Sequence, residues 1–360
     1  MNTASTTKST SIDNKKLEEF VIKSVGDMGS SISALMVMLG DRLGLYKALE
    51  QYGPLTSEEL AQKTNTSERY IREWLASQAA AGYISYDARN KKFILSPENA
   101  MVLADENSPV FIMGGYQLVR SLFKDEDKFV EIFKTGKGFR WGEHHHDLFE
   151  GTARYFKPVY LSNLVQSWIP SLEGIEDKLK KGAKVADIGC GYGISTTIMA
   201  KSFPNSQFYG YDNHAPSIET AKENALKENV KSNTNFLVVS GNESIGNDYD
   251  LIAFFDCLHD MGDPLGALKF AKQSLKSDGT CMIVEPLAND KLEDNLNLMG
   301  KISYAVSSIV CVPNSLADNG PALGAQAGEQ KIKDLVYAAG FSRFRRTAQT
   351  PLNAVYEVRP

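Results

Sequence analysis

The sequence predicts an α/β fold: an open, mostly parallel sheet of seven strands, preceded by a small winged-helix domain and covered by a helical lid. Three observations carry that prediction. An apolar run at residues 185–188 passes into Gly189, Gly191 and Gly193 and then into a helix. Apolar strands at 207–211, 235–239, 251–255 and 280–285 alternate with helical periodicity behind it. Residues 341–348 and 353–358 then read as two strands in succession, an antiparallel hairpin closing a parallel sheet.

The composition suits a soluble globular protein with room for two domains: 360 residues, 42% hydrophobic and 23% charged. A formal net charge of −5 gives no overall basic footprint for nucleic acid or an anionic membrane. Cys190, Cys257, Cys281 and Cys311 are widely spaced without a C-x-x-C pair, which points to buried thiols in a reducing compartment rather than disulfides or zinc ligands. Residues 1–14 are polar and Ser/Thr-rich, so a disordered tail is expected there, and no apolar run approaches membrane-spanning length. A cytoplasmic protein is the resulting expectation.

Residues 15–110 form the winged-helix domain. A helical stretch to about residue 50 carries Ile32, Leu35, Met36, Met38, Leu39 and Leu43, an apolar surface that calls for another helix or another subunit. Thr56 or Ser57 caps a short helix, a turn at 64–67 follows, and Tyr70, Ile71, Trp74 and Leu75 supply the buried stripe of the next helix. Strands at 83–86 and 92–95 make the wing. Residues 1–110 hold 12 Lys and Arg against 14 Asp and Glu. A phosphate-binding module should be clearly basic, so dimerisation is the reading preferred over DNA recognition.

Residues 111–180 read as a helical linker and substrate lid, rich in aromatics. Trp141, His144, His145, Tyr155 and Tyr160 are the substrate-facing candidates in it, while Phe156 and Trp168 read as core. Three consecutive histidines, His144 to His146, point in divergent directions on a helix or a strand, so no metal site is expected. The sheet domain is residues 181–360, with 286–329 as a lid insertion carrying an apolar helix and Tyr304.

The glycine loop is the centre of the chemistry. Alternate glycines let the backbone approach a ligand closely, and the free N–H groups of the following helix face the same spot. A dinucleotide fold wants G-x-G-x-x-G, but Ile194 stands where its third glycine would be, and the Gly-Lys-Ser/Thr of a P-loop is absent. Asp187, inside the first strand, needs a cationic or hydrogen-bonding partner, which an ammonium-bearing cofactor would supply. Asp212 ends the second strand, where a carboxylate suits a ribose diol. Ligands in open α/β sheets bind beyond the carboxyl ends of the strands, so Asp187, Asp212, Asp256, His259 and Glu285 should share one rim. A neutral imidazole at His259 would accept an acceptor's proton, with Glu285 or Asp260 holding its tautomer.

Asp187, the glycine loop and Asp212 together resemble the cofactor site of class I S-adenosylmethionine-dependent methyltransferases, which are Rossmann-like. The run 258–263, Leu-His-Asp-Met-Gly-Asp, resembles plant-type O-methyltransferases, in which the histidine is the general base. Trp141-Gly142-Glu143-His144, the run from Phe255 to Pro264, Val284-Glu285-Pro286, residues 323–329 and the terminal Glu357-Val358-Arg359-Pro360 are similar to a bacterial family of winged-helix class I methyltransferases known from mycobacteria. His145 and His146 depart from that pattern. The resemblance implies S-adenosylmethionine as cofactor and a homodimer formed through the N-terminal domain. Asp187, Gly189, Gly191, Asp212, Asn213, Gly241, Asn242 and Asp256 would hold the cofactor, Asp256 beside its methionine end and residues 240–242 at its adenine. The expected activity is methyl transfer to O, N or S of a small molecule, with His259 as base or orienter. Two alternatives stand beside it: an S-methyltransferase for a thiol or thioether acid, needing no base, and a winged-helix regulator that senses the cofactor.

Overall fold

A computed structural model describes residues 12–239 and 246–360, which divide into two compact units, 1–105 and 106–360. In the first unit, α1 (Asn14–Arg42) starts at Asp13, whose carboxylate accepts the N–H groups of Lys15 and Lys16. Gly44, in the left-handed region, ends the expected single helix early and opens α2 (Leu45–Tyr52). Thr56 and Glu59 close a reciprocal capping box on α3 (Ser57–Thr64), and Asn65 turns the chain into α4 (Glu68–Ala80). β1 (Ser85–Asp87) and β2 (Lys92–Ile94) form the antiparallel wing, and α5 (Pro97–Leu103) follows.

Ile71, Trp74, Leu75 and Gln78 are the buried face of α4. Tyr70, expected with them, is 78% exposed, because the helical repeat carries the stripe through 71, 74, 75 and 78 and turns residue 70 outward. Gly40 lets α1 cross α4 closely: a Cβ there would stand 2.5 Å from the Trp74 ring, and the indole N–H donates to Met36 O at 2.8 Å. By length and composition alone α1 is apolar enough to cross a membrane. Between Asp27 and Asp41 it carries no charge, so its second half is an unbroken uncharged run of thirteen residues, 28–40.

The second unit begins with α6 (Met113–Lys124), α7 (Glu126–Thr135), α8 (Asp147–Asn163) and α9 (Ile175–Lys181). α6 and α8 pack through facing glycines, where a Cβ on Gly114 would meet Tyr155 N at 2.3 Å and one on Gly151 would meet Leu118 N at 2.6 Å. The sheet then alternates with helices: β3 (Lys184–Ile188), α10 (Ile194–Ser202), β4 (Gln207–Asp212), α11 (Ala215–Lys227), β5 (Thr234–Val238), β6 (Tyr249–Phe255), α12 (Pro264–Ser274) and β7 (Leu275–Pro286). After α13 (Leu298–Ile309), α14 (Cys311–Ala317) and α15 (Glu329–Ala338) come β8 (Arg343–Gln349) and β9 (Asn353–Arg359). The strand order is β5-β4-β3-β6-β7-β9-β8, with β9 antiparallel to both neighbours.

Central strands buried on both faces read as unbroken apolar runs, and every residue of β6 is buried. One face carries a core around Trp168, Ile169 and Met199, and the other a core around Leu268, Ile332 and Val336. All four cysteines are free thiols, three of them buried. The parallel order reverses direction of winding at β3 and β6, so the crevice at their carboxyl ends lies where this architecture places ligands.

Candidate active site

β3 delivers the chain into Gly189, Gly191 and Gly193, whose φ angles of 71°, 51° and 69° are all left-handed. A Cβ on Gly189 would stand 2.8 Å from Cys257 Sγ and one on Gly193 would stand 2.7 Å from the Phe236 ring, but nothing lies within 4 Å of that position on Gly191. Two of the glycines therefore serve packing, and Gly191 leaves an open main-chain face for a ligand. Its N–H donates to Asp212 Oδ2 at 2.8 Å, while the His214 N–H donates to Oδ1 at 2.8 Å. Burial raises the pKa of Asp212 and these N–H groups oppose the shift.

Asp187 is buried in β3 and receives two hydroxyl protons on one oxygen, from Ser195 Oγ and Thr196 Oγ1, each at 2.6 Å. Burial pushes its pKa up to about 6 against those hydrogen bonds, and Oδ1 has no partner among the described residues. The sequence reading gave this carboxylate to a cofactor ammonium. The structure gives one of its oxygens the first turn of α10, and Asp187 is not among the residues that line the cavity.

That cavity has a volume of about 640 Å³, within the range of small-molecule sites. Gly189, Gly191, Asp212 and Asn213 line one part of it. Asp256, Asp260, Trp141 and Tyr160 line the rest, joined by residues the sequence did not single out, among them Arg140, Thr152 and Phe156. Thr152 and Phe156 were legible in principle, four apart on the α8 face that leads to Tyr160. Phe156, read as core, turns to the cavity; Trp168 is core. The expected adenine contacts Gly241 and Asn242 lie outside the described residues.

Asp256 follows β6 in a left-handed conformation, φ 51°, that non-glycine residues adopt at some cost. Its Oδ1 accepts from Asn353 Nδ2 at 2.7 Å, its N–H donates to Val284 O at 2.8 Å, and its Oδ2 is buried with no hydrogen-bond partner among the described residues. Burial, then the neighbouring Glu285, pushes its pKa well above the ordinary carboxylate range.

His259 and Glu285 lie beneath the wall rather than on it. His259 Nδ1 sits 2.5 Å from Glu285 Oε2, and Glu285 Oε1 accepts the Leu258 N–H at 2.9 Å. Burial alone would lower the imidazole's pKa, but the Glu285 carboxylate and the neighbouring Cys311 overcome it and leave it well above the ordinary value. That direction favours the charged form of the ring, whereas the expected base is its neutral form. Asp260, which does reach the wall, has its pKa raised by burial to about 7, with His259 opposing.

The remaining substrate candidates stand away from the cavity. His144 is buried against Phe139 and Phe129, with its pKa lowered by burial to about 4. His145 contacts Lys124 Nζ at 3.0 Å, and Asp147 receives both Arg120 and Lys124, so the one grouping of possible metal ligands found among the described residues, His145, His146 and Asp147, is already occupied by cations. Tyr155 packs against Gly115 of α6, and Tyr304 lies on α13 near Asn295.

Residues 31–105 match the Rv2258c-like winged HTH domain, and residues 179–340 match a methyltransferase domain. Among curated proteins, ribosomal RNA small subunit methyltransferase C of Haemophilus influenzae is 30% identical over 168 residues, 39% of this chain and 48% of that protein. The chain thus spans about half the length of that relative. Two solved structures share the fold over nearly their whole length. Mitomycin 7-O-methyltransferase has a TM-score of 0.71 at 19% identity, covering 96% of this chain and 100% of that one. Human N-acetylserotonin methyltransferase in complex with SAM has a TM-score of 0.70 at 15% identity, covering 98% and 99%.

Proposed function

We propose that this chain, which joins an Rv2258c-like winged helix-turn-helix domain to a methyltransferase domain, transfers a methyl group from S-adenosylmethionine to a small-molecule acceptor. The observation that carries the reading is the open face of Gly191 beside Asp212 at the mouth of the cavity. Main chain without a Cβ suits the methionine portion, and the Asp212 carboxylate suits the two ribose hydroxyls. When bound, the cofactor supplies a methyl group on a sulfonium, which an acceptor's lone pair displaces while the carbon–sulfur electrons stay with sulfur.

The protein's own part is positioning. Phe156, Tyr160 and Trp141 line the cavity, where aromatic side chains exclude water and suit a cationic ligand. His259 acts as an orienter: its buried pair with Glu285 fixes the turn at residues 257–260, and through that turn sets Asp256 and Asp260 on the wall. Five aspartates on the wall against one arginine count against an acceptor that carries an acid, and so against the thiol-acid alternative. The regulator alternative loses its footing on α4, where Arg69 and Arg72 are paired with Glu73 and Glu68 of the same helix. The winged-helix unit serves a cytoplasmic homodimer, and the exposed Val21, Val25, Met28 and Ile32, one face of α1, are what a second copy covers.

Calorimetric titration of S-adenosylmethionine and S-adenosylhomocysteine tests the reading. Binding in the micromolar range, weakened about a hundred-fold in Asp212→Ala through loss of two hydroxyl contacts to a charged group, is expected. Absence of binding to the wild-type protein would overturn it.

A further inference from the structure

The cavity wall carries more carboxyl groups than the cofactor needs. Among the described residues that line it, five are aspartates, and Arg140 is the one residue of opposite sign. Arg140 is itself engaged, with Asp318 Oδ1 at 2.8 Å and Ala317 O at 3.1 Å. Three of the five acids have identified work: Asp318 holds Arg140, Asp263 caps α12 through the Gly266 N–H, and Asp212 faces the glycine loop. S-adenosylmethionine, with two positive groups and one carboxylate, answers one negative charge. Asp260 and Asp256 remain, and of these Asp256 has Oδ2 buried and without a hydrogen-bond partner among the described residues, on a backbone held in the left-handed region. A buried carboxylate oxygen without a partner is costly unless a ligand supplies the donor, and strained backbone persists where the surroundings impose it for use. Asn353 from β9 holds the other oxygen, so the group is braced at one side and keeps a buried, unmatched acceptor at the other, on a residue that lines the cavity. Phe156 and Tyr160 line the same cavity, which suits an aromatic or aliphatic body beneath a charged head.

We infer that the methyl acceptor is a small cation, an amine protonated at neutral pH, and that Asp256, braced by Asn353, binds its charged nitrogen. The protonated nitrogen has no lone pair, so it is the handle by which the molecule is held, and the methyl group goes to another atom of the acceptor. This inference rests on the methyl-transfer reading above and is tested separately from it.

The experiment uses three probes of one shape and different charge: tyramine, para-ethylphenol and para-hydroxyphenylpropionate. Each is titrated into the full chain, with and without S-adenosylhomocysteine. Tyramine is expected to bind at least tenfold tighter than the neutral phenol, and the carboxylate most weakly of the three. Asp256→Asn, of the same shape, should abolish that ranking while leaving S-adenosylhomocysteine affinity within about twofold. Asn353→Ala should reduce the ranking without abolishing it, giving a second variant should the first fold poorly. Equal binding of the three probes, or a ranking unchanged in both variants, would overturn the inference. So would an Asp256→Asn protein that loses the cofactor while keeping the ranking, which would return Asp256 to the cofactor. Failure of S-adenosylhomocysteine to bind the wild type would count against the methyl-transfer reading, and the probe ranking without it would still decide this one.

Discussion

Helix α4 and the rim of the sheet both carry clusters of charge, but they dispose of it in opposite ways. On α4, Arg69 pairs with Glu73 and Arg72 with Glu68, each one turn along the same exposed face. Such pairs satisfy themselves locally and leave nothing for a partner. At the rim the charges are buried, come from different strands and do not cancel: Asp187 and Asp256 each keep an oxygen without a hydrogen-bond partner among the described residues. Burying a carboxylate in that condition costs stability, so a fold that tolerates it is arranged for something besides its own stability. The contrast locates chemistry at the rim and structure on α4.

The largest effect that would sharpen the contrast is at Glu285. Glu285→Ala strips the counter-charge from a buried imidazolium and orphans the Leu258 N–H. Breaking a buried pair from one side costs about 3–5 kcal/mol, which chemical denaturation should show. The folded pKa of His259 is raised, so the stabilisation is fully present below the ordinary histidine value and is lost as pH rises through the raised one. The gap between variant and wild type should accordingly be constant below the ordinary histidine value and narrow steadily as pH rises from there toward the raised one.

Turnover of His259→Gln comes next. As an orienter, it should lower turnover about tenfold with an unchanged pH profile. A fall of roughly 10²–10⁴-fold, together with a wild-type rate climbing steadily with pH, would make the ring a base and break the rim reading at that point.

A smaller effect is expected at Asp260, whose pKa of about 7 places its ionisation in the working range. Ionisation adds negative charge to the wall, so affinity for cationic S-adenosylmethionine should rise severalfold between about pH 6 and pH 8. Titration of Asp260→Asn should show no such rise. The smallest effect is assigned to α4: Arg69→Ala and Arg72→Ala should shift stability by less than about 0.5 kcal/mol. Neither should alter turnover, and a duplex-DNA affinity that falls in these variants would overturn the contrast from the other side.

What the sequence made legible follows the range of the forces involved. The strand, glycine turn and helix at residues 184–202 are local, and their apolar periodicity and φ requirements can be read from neighbours alone. Asp212 was legible by the same logic as a carboxylate at the end of β4, since that place is set by local sequence. The partners of Asp187 were not legible, because a bare acid in a strand advertises a need for a partner without saying which; Ser195 and Thr196, eight and nine positions on, take one of its two oxygens. His259 was legible as a residue of the rim but not in its protonation, which depends on Glu285, a separate strand's last carboxylate, and on burial. Asn353 had no signal, because its meaning arises only when β9 lies beside β7 and brings it to Asp256, 97 positions earlier.

The position of β9 also bears on how the molecule is made. β9 follows every other strand in the chain, yet it is inserted between β7 and β8, with both neighbours already translated. On the ribosome the five parallel strands can assemble as they emerge, but β7 keeps a bare edge and Asp256 keeps no brace until residues 353–359 have left the exit tunnel. The nascent protein would therefore acquire its sheet progressively and the brace on Asp256 only once β9 has paired, and a chain lacking residues 353–359 would keep most of the scaffold with an exposed strand edge ready to aggregate.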